Sequence, residues 1–401
     1  MKTSLRALNA VNFFMADVEG GLGPFLGIYL QAKHWSPGEI GLVMTISGVA
    51  GVVATAPLGA LVDRMKAKRA LVVAASVAIT LASFVILWAP GFVAVAATQG
   101  ISGIAGAAIG PALAGITLGL VGQKHYTHRV GRTQAFNHAG NVTAAVLAGA
   151  FGYVFGIGAV FVVLAAMAAA SAIAIAWIDP KRIDYRAARG LSEKAGDGQS
   201  AWSALITCKP LLVLAATLLL FHLGNAAMLP LLGQSEAASG AGNPSAYTGA
   251  TVVIAQLTMV PMALFAARLA ETRGYWIVFT LALLALPVRG ALAAFIDGPL
   301  ALGPVQILDG VGAGLLGVAV PALVARILNG TGHVNAGLGA VMTMQGIGAS
   351  LSPALGGFVA GKFGYAASFI ALGGVAVVAL VLWVGARPVT AEACRGEAVA
   401  R

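Results

Sequence analysis

Twelve long apolar runs, separated by short polar connections, constrain the fold of this chain more than any other feature. A helix that crosses a bilayer needs about 20 apolar residues, and each run reaches that length. The runs, numbered as spans 1 to 12, cover residues 7–31, 37–60, 70–89, 92–120, 131–153, 157–178, 210–233, 246–269, 275–296, 300–327, 335–358 and 363–386. Charged residues make up only 9% of the chain, whereas a soluble domain carries about 25%. The sequence therefore predicts an all-α polytopic membrane protein.

The distribution of lysine and arginine predicts the orientation of the spans. With the N-terminus inside, 21 of the 24 cations fall on the cytoplasmic side. The outer segments hold only Lys33 and Lys362, and Arg289 lies within span 9. Cytoplasmic loops collect cations because cations resist translocation. We therefore expect a multi-pass protein of the inner (cell) membrane with both termini in the cytoplasm.

The net charge of +10 would suggest a nucleic-acid partner in a soluble protein. Here the cations fall in loops, so the excess is explained by topology and we expect no nucleic-acid partner. The two cysteines, Cys208 and Cys394, lie beside predicted cytoplasmic segments. We expect free thiols there, with neither a disulfide nor a metal site.

A long polar stretch divides the spans into two groups of six. It is typical of a surface linker because it is rich in charge, Gly and Ser. The predicted organisation is an N-terminal six-helix bundle, a cytoplasmic linker, a C-terminal six-helix bundle and a cytoplasmic tail, at residues 1–178, 179–209, 210–386 and 387–401.

An internal repeat supports this division. Shifting the chain by 207 residues places Gln99 on Gln306 and Gly103 on Gly310. A shift of 208 relates the hinge after span 2 to the hinge after span 8, at residues 268–274. Parallel repeats of six helices occur in one large architecture of membrane transporters.

A charged hinge joins spans 2 and 3. Its ordered positions are Gly59, Leu61, Asp63, Arg64 and Lys68 or Arg69. This order, G-x-L-x-D-R-x-x-x-[KR], resembles the signature loop between helices 2 and 3 of the major facilitator superfamily. The resemblance implies a gating loop that latches two halves of a transporter on the cytoplasmic side. We expect Gly59 to let span 2 end close to its neighbour, and Asp63 to dock at the start of span 11, capped by Asn335.

The resemblance covers nearly the whole chain. It implies twelve transmembrane helices in two pseudo-symmetric six-helix bundles, which work by alternating access on a small-molecule substrate. It implies coupling to protons, a surrounding lipid bilayer as the partner, and a monomer. It implies neither an enzyme activity nor a cofactor or metal site.

Two further motifs concern the subclass. In span 4, Gln99, Gly100, Gly103 and Gly106 look like the family's R-x-x-Q-G-x-G motif, with Ala96 at the arginine position. In span 11, residues 348–357 resemble the G-P-x-x-G-G antiporter motif, which normally lies on helix 5. This favours an exporter. The alternative is that Gly and Pro simply permit close packing and a bend.

Ionisable residues inside the bilayer are expensive and are therefore candidates for function. Span 1 carries Asp17 and Glu19, followed by a Gly-Pro run at residues 20–24 that should weaken or kink the helix. Two residues are about 200° apart around a helix, so both carboxylates cannot face one cavity. Asp309 in span 10 is the third acid. These three, together with His138 and His222, are the candidates for proton coupling.

Amides and histidines are candidates to line a wet cavity. Span 5 has a polar stripe at i, i+3, i+4 and i+7, and spans 7, 10 and 11 add further amides. The substrate-cavity candidates are Gln134, Asn137, Asn141, Asn225, Gln306 and Gln345. We expect Arg289 to snorkel outward or to pair with an acid such as Asp297. The three acids, weighed against two titratable histidines and Arg289, make the path net negative at neutral pH, which favours cationic or neutral substrates.

A membrane-embedded enzyme is the competing class. Such enzymes carry metal-ligand or nucleophile motifs, and the sequence contains no HExxH, no GxSxG and no phosphate-cradling glycine loop. The sequence therefore predicts a secondary transporter, with proton-coupled efflux of a small cationic or neutral drug or metabolite as the leading hypothesis. Proton-coupled uptake of a nutrient or metabolite, and a lipid flippase on the same fold, are the alternatives.

Overall fold

The computed structural model describes residues 2–185, 207–240, 242–296, 298–329 and 334–395. The side chains of Asp63 and Asn335, and the residue Asp297, lie outside the described part. The expected docking of Asp63, its cap by Asn335 and most of the predicted linker therefore stay predictions.

The described residues form α-helices joined by tight turns, and all twelve predicted spans are helical. The helices are α1 Lys2–Gly20, α2 Gly23–Ala32, α3 Pro37–Arg64, α4 Lys68–Trp88, α5 Phe92–Phe155, α6 Ala159–Ala176, α7 Lys209–Asn225, α8 Met228–Ser239, α9 Pro244–Arg273, α10 Tyr275–Phe295, α11 Leu302–Ile327, α12 Val334–Phe363, α13 Tyr365–Gly385 and α14 Arg387–Thr390. Short 3₁₀ turns lie at Pro180–Arg182 and Gly298–Ala301.

The spans map onto these helices with three irregularities. Span 1 is divided into α1 and α2, span 7 is divided into α7 and α8, and α5 contains both span 4 and span 5. Within α5, Gly122 adopts a φ of 69° and a ψ of 169°, which separates the two spans. A positive φ is accessible to Gly at little cost because it has no Cβ.

Within the described residues, nine stretches are both long and apolar enough to cross a membrane. Spans 1, 5 and 11 are not among them. Span 1 is interrupted and carries two acids, and span 5 carries the polar stripe. All three of these spans carry residues that the sequence assigns to the transport path.

The helices cluster into two compact units. The first comprises Met1–Trp35, Val43–Ala195 and Asn243–Ala250, and the second comprises Ser36–Leu42, Gly196–Gly242 and Thr251–Arg401. In the first unit α1 packs on α5 and α6, and α4 packs on α5. In the second unit α7 packs on α12 and α13, and α10 packs on α11 and α13.

Candidate functional site

The first candidate feature is a break in span 1. Helix α1 ends at Gly20 and α2 begins at Gly23. Gly21 and Gly23 have φ values of +56° and +48°, a left-handed conformation that suits Gly. Pro24 stands in the first turn of α2, where its missing N–H costs no helical hydrogen bond. The Gly-Pro run thus interrupts the helix directly after Glu19, as the sequence predicts.

A polar cavity of about 290 Å³ lies beside this break, within the first unit. Glu19 lines it, whereas Asp17 is not among its lining residues. Of the two carboxylates, Glu19 is thus the one that lines this cavity. Which of them serves the transport path stays a prediction. The other polar side chains that line the cavity are Ser47, Ser83, Gln99 and Ser102.

The glycines of span 4 bring two helices together at this cavity. A Cβ on Gly103 would lie 2.0 Å from the carbonyl oxygen of Ser47, so α3 and α5 can cross here only through a Gly. Gln99, four residues earlier, reaches the cavity wall. A Cβ on Gly106 would lie 3.6 Å from the carbonyl oxygen of Glu19. The span-4 motif therefore has a packing role and a lining role.

A buried charge cluster lies in the second unit. The Nη1 atom of Arg289 donates to Asp309 Oδ1 at 2.8 Å and to Asn225 Oδ1 at 2.6 Å. Only 1% of the Arg289 side chain is exposed, against 14% for Asp309. Of the two outcomes expected for Arg289, outward snorkelling is wrong and pairing with an acid is confirmed, but the acid is Asp309 on α11. Asp309 is thus an acid with a cationic neighbour.

This cluster is incompletely satisfied by hydrogen bonds. Among the described residues, the Nε and Nη2 atoms of Arg289 have no hydrogen-bond partner, and neither do the two side-chain polar atoms of Gln306. Gln306 is fully buried, one helical turn before Asp309. Unpaired buried donors cost free energy, so a polar ligand or water that reached them would be favoured.

The remaining polar candidates are dispersed. In span 5, Asn141 donates to Asn137 Oδ1 at 3.1 Å, and neither residue lines the cavity beside Glu19. His222 places Nδ1 2.9 Å from the carbonyl oxygen of Leu218. Gln134, His138 and Gln345 are not among the lining residues of that cavity either. Their roles stay predictions.

The hinge between α3 and α4 is held by two cations. Lys68 is 1% exposed, and its Nζ donates to the carbonyl oxygen of Val62. Arg69 donates to the carbonyl oxygens of Ile175 and Ala176 at 3.0 and 3.1 Å, which ties the hinge to the end of α6.

The close helix approach expected at Gly59 is not found among the described residues. A Cβ at this position would meet none of their atoms within 4 Å. Arg64 is the last residue of α3. The gating function of this loop stays a prediction.

The antiporter-like segment of span 11 is a site of close packing. A Cβ on Gly357 would lie 2.3 Å from the carbonyl oxygen of Pro37, and a Cβ on Gly41 would lie 2.1 Å from that of Pro353. The four residues belong to the second unit. The packing explanation of this Gly-Pro segment is therefore confirmed, whether or not it also marks an exporter.

Sequence reasoning missed one buried acid. Glu236 on α8 is 4% exposed, and its Oε1 atom has no hydrogen-bond partner among the described residues. The predicted span 7 ended at residue 233, whereas α8 continues to Ser239. A predicted helix that extended beyond the last apolar residue of span 7, as α8 does, would have included Glu236.

Comparison with known proteins assigns the family. The sequence profile of the Major Facilitator Superfamily matches residues 8–334. Two curated proteins of Mycobacterium tuberculosis, from different strains and each described as an uncharacterized MFS-type transporter, are 42% identical over 391 residues, which is 96% of this chain and 94% of theirs.

Solved transporter structures show the same fold. The nucleoside transporter NupG aligns with a TM-score of 0.72 at 17% identity, over 95% of this chain and 98% of its own. A bacterial homolog of the human lysosomal transporter Spinster aligns with a TM-score of 0.76 at 13% identity, over 99% and 98%. With twelve helical spans, a profile match over most of its length and close transporter relatives, this chain belongs to the Major Facilitator Superfamily of secondary transporters.

Proposed function

We propose that this transporter is a proton-coupled antiporter that exports a small cationic or neutral organic molecule, a drug or a metabolite. The observation that carries the proposal is the placement of Glu19 on a polar cavity beside the break in span 1. A carboxyl group that lines a cavity inside a transporter can take up a proton from one side of the membrane and release it to the other as access alternates. The broken helix offers a flexible gate next to that group.

The charge distribution supports the proposed substrate class. Arg289 pairs with Asp309, so the charge of Asp309 is compensated within the second unit. Neither Asp17 nor Glu19 forms an ion pair with another described residue. Of the three acids proposed for the path, the two on span 1 therefore lack a compensating cation among the described residues, and they favour a cation or a neutral molecule over an anion.

The direction of transport is inferred from the sequence. Residues 348–357 resemble the antiporter motif, and the distribution of cations favours cytoplasmic termini in the inner membrane. An antiporter in that orientation would exchange an inward proton for an outward substrate. The chain is proposed to act as a monomer.

Everted membrane vesicles provide the test. Respiration makes their lumen acidic, and an acridine dye reports that acidity by its quenching. We expect ethidium, a cation, or uridine, a neutral molecule, to enter the vesicles and restore dye fluorescence, and benzoate, an anion, to have no effect. In Glu19→Gln vesicles uphill uptake and the dye response should be lost, while exchange of preloaded substrate continues, because binding and rocking require no proton transfer.

The opposite results are equally clear. Accumulation that occurs only in right-side-out vesicles would make the protein an importer. A Glu19→Gln transporter that keeps uphill uptake with the same pH dependence would remove Glu19 from the coupling step. The matched control is Glu39→Gln. Glu39 lies in the first turn of α3, where its carboxylate accepts hydrogen bonds from the N–H and the hydroxyl of Ser36, and it does not line the cavity.

A further inference from the structure

A second, larger groove lies on the first unit, where α4 and α6 meet. Its volume is about 600 Å³, and it contains none of the proposed transport residues of span 1. Small apolar side chains from both helices form its floor, among them Ala70, Ala74 and Val77 of α4 and Ala172 of α6. The lining residues of α4 run from Arg69 to Val77, a rise of about 12 Å along the helix axis, and an apolar surface of that length can accommodate part of an acyl chain.

One end of the groove is basic. Lys66 and Arg69 line that end, and Lys66 is exposed. The two hydrogen bonds from Arg69 to the last carbonyls of α6 hold its guanidinium group at the mouth of the groove. Helix α4 begins beside this end at Lys68 without a side-chain cap, and its N-cap residue Ala67 lines the groove. The first N–H groups of a helix carry the positive end of its dipole.

An exposed tryptophan follows the α6 carbonyls that Arg69 contacts, and it indicates the depth of the basic end in a bilayer. Trp177 directly follows α6 and is 66% exposed, and exposed tryptophans of membrane proteins concentrate at the boundary between hydrocarbon and water. The cations of this hinge lie on the face that the charge distribution predicts to be cytoplasmic, and the cytoplasmic leaflet carries anionic lipid. A phosphate at the mouth would match the charge of Lys66 and Arg69, and an acyl chain along the floor would contact the apolar side chains of α4 and α6.

We propose that this groove binds an anionic phospholipid, with the phosphate held by Lys66, Arg69 and the start of α4, and one acyl chain lying between α4 and α6. The site is separate from the proposed transport path. It would join the hinge after span 2 to the end of span 6, so the bound lipid would stabilise the first unit. The charge of the mouth selects anionic over zwitterionic headgroups.

Native mass spectrometry of the purified full-length protein tests the proposal. Delipidated protein in detergent is titrated with palmitoyl-oleoyl phosphatidylglycerol, with the matching phosphatidylcholine, and with sn-glycerol 3-phosphate as a water-soluble phosphate. We expect phosphatidylglycerol to bind at least fivefold more tightly than phosphatidylcholine, and glycerol 3-phosphate to compete with neither. Lys66→Gln should weaken phosphatidylglycerol binding about fivefold, as expected for the loss of one cation near the lipid surface.

Two further variants separate the parts of the site. Ala74→Phe fills the floor of the groove without a change of charge, and we expect it to weaken phosphatidylglycerol at least as much as Lys66→Gln does. Arg273→Gln removes an exposed cation from the other hinge and should leave the affinity unchanged. Size-exclusion profiles check that each variant is folded.

Three outcomes would overturn the proposal. Equal affinities for the two lipids would show that the mouth does not select charge. Competition by glycerol 3-phosphate would show that a free phosphate, and not a lipid, is the ligand. Phosphatidylglycerol binding that survives both Lys66→Gln and Ala74→Phe would place any lipid site elsewhere.

Discussion

At the residue scale, Asp17 and Glu19 have different surroundings although one residue separates them. Glu19 lines the polar cavity and Asp17 does not, and Asp309 differs from both because Arg289 compensates its charge. We therefore expect Asp17→Asn to keep pH-dependent uphill transport, measured in the same vesicles as Glu19→Gln. A loss of pH dependence in Asp17→Asn alone would show that the proton site is the other carboxylate of span 1.

Arg289 and Asp309 should be coupled energetically. Removal of one partner leaves the other charge buried and unpaired, so Arg289→Met or Asp309→Leu alone should each lower the free energy of unfolding by about 3 kcal/mol. The double variant should recover much of that loss, because two well-packed apolar side chains carry no desolvation penalty. Thermal unfolding of the four proteins in detergent gives the coupling energy. Strictly additive losses would contradict a direct interaction, and Arg273→Met, at an exposed position, is the control.

At the element scale, the crossing of α3 and α5 depends on the absence of a side chain at Gly103. A methyl group at Gly103 would approach the carbonyl oxygen of Ser47 to 2.0 Å, so Gly103→Ala should force the helices apart and destabilise the protein by about 1–3 kcal/mol. Gly59→Ala is the matched control, because its Cβ has open space and Ala favours helix by up to about 1 kcal/mol. Equal thermal stabilities of the two variants would show that the crossing tolerates a side chain.

The C-terminal tail is docked on the second unit through Cys394. Its carbonyl oxygen accepts from the Tyr275 N–H at 2.9 Å, and the residue is 3% exposed. Burial raises the pKa of the Cys394 thiol to about 11. The thiol is thus protonated at neutral pH, and the folded protein holds this proton more tightly than the unfolded chain does.

A pH dependence of the docked tail follows. Because the pKa of the Cys394 thiol is raised in the folded protein, its contribution to the free energy of unfolding is complete below pH ~9 and falls as the pH rises through about 11.

The burial of Cys394 also predicts its reactivity. At pH 7.5 we expect N-ethylmaleimide to label the half-buried Cys208 and to spare Cys394 until the protein is unfolded, as measured by mass spectrometry of digested protein. Equal labelling rates in the folded protein would show that the tail is undocked in solution.

At the scale of the whole molecule, the charge asymmetry predicts which side of the membrane each segment occupies. In a Cys394→Ser background, a membrane-impermeant maleimide should reach Cys208 in everted vesicles and not in right-side-out vesicles. Ala238→Cys, at an exposed position near the end of α8, should give the reverse pattern when Cys208 is replaced by Ser. Labelling of Cys208 from the outside would invert the proposed orientation.

The sequence predicts much of this architecture because a bilayer selects spanning segments by their length and hydropathy, which can be read along the chain. Length and hydropathy along the chain are enough to find twelve spans, and the break in span 1 follows from local Gly and Pro chemistry. The candidate site is predicted less completely. The sequence shows that Asp17 and Glu19 lie on opposite faces of one helix, but it does not show which of these faces meets the cavity.

The sequence by itself determined the class of protein, the number of spans and the candidate acids, since each depends on composition and local periodicity. The tertiary structure decided which side chains meet. The Arg289 partner on α11, the cavity position of Glu19 and the passage of α3 over Gly103 depend on distances between helices far apart in the chain. Those distances come from the packing of whole helical faces, and no local pattern of apolar and polar residues encodes them.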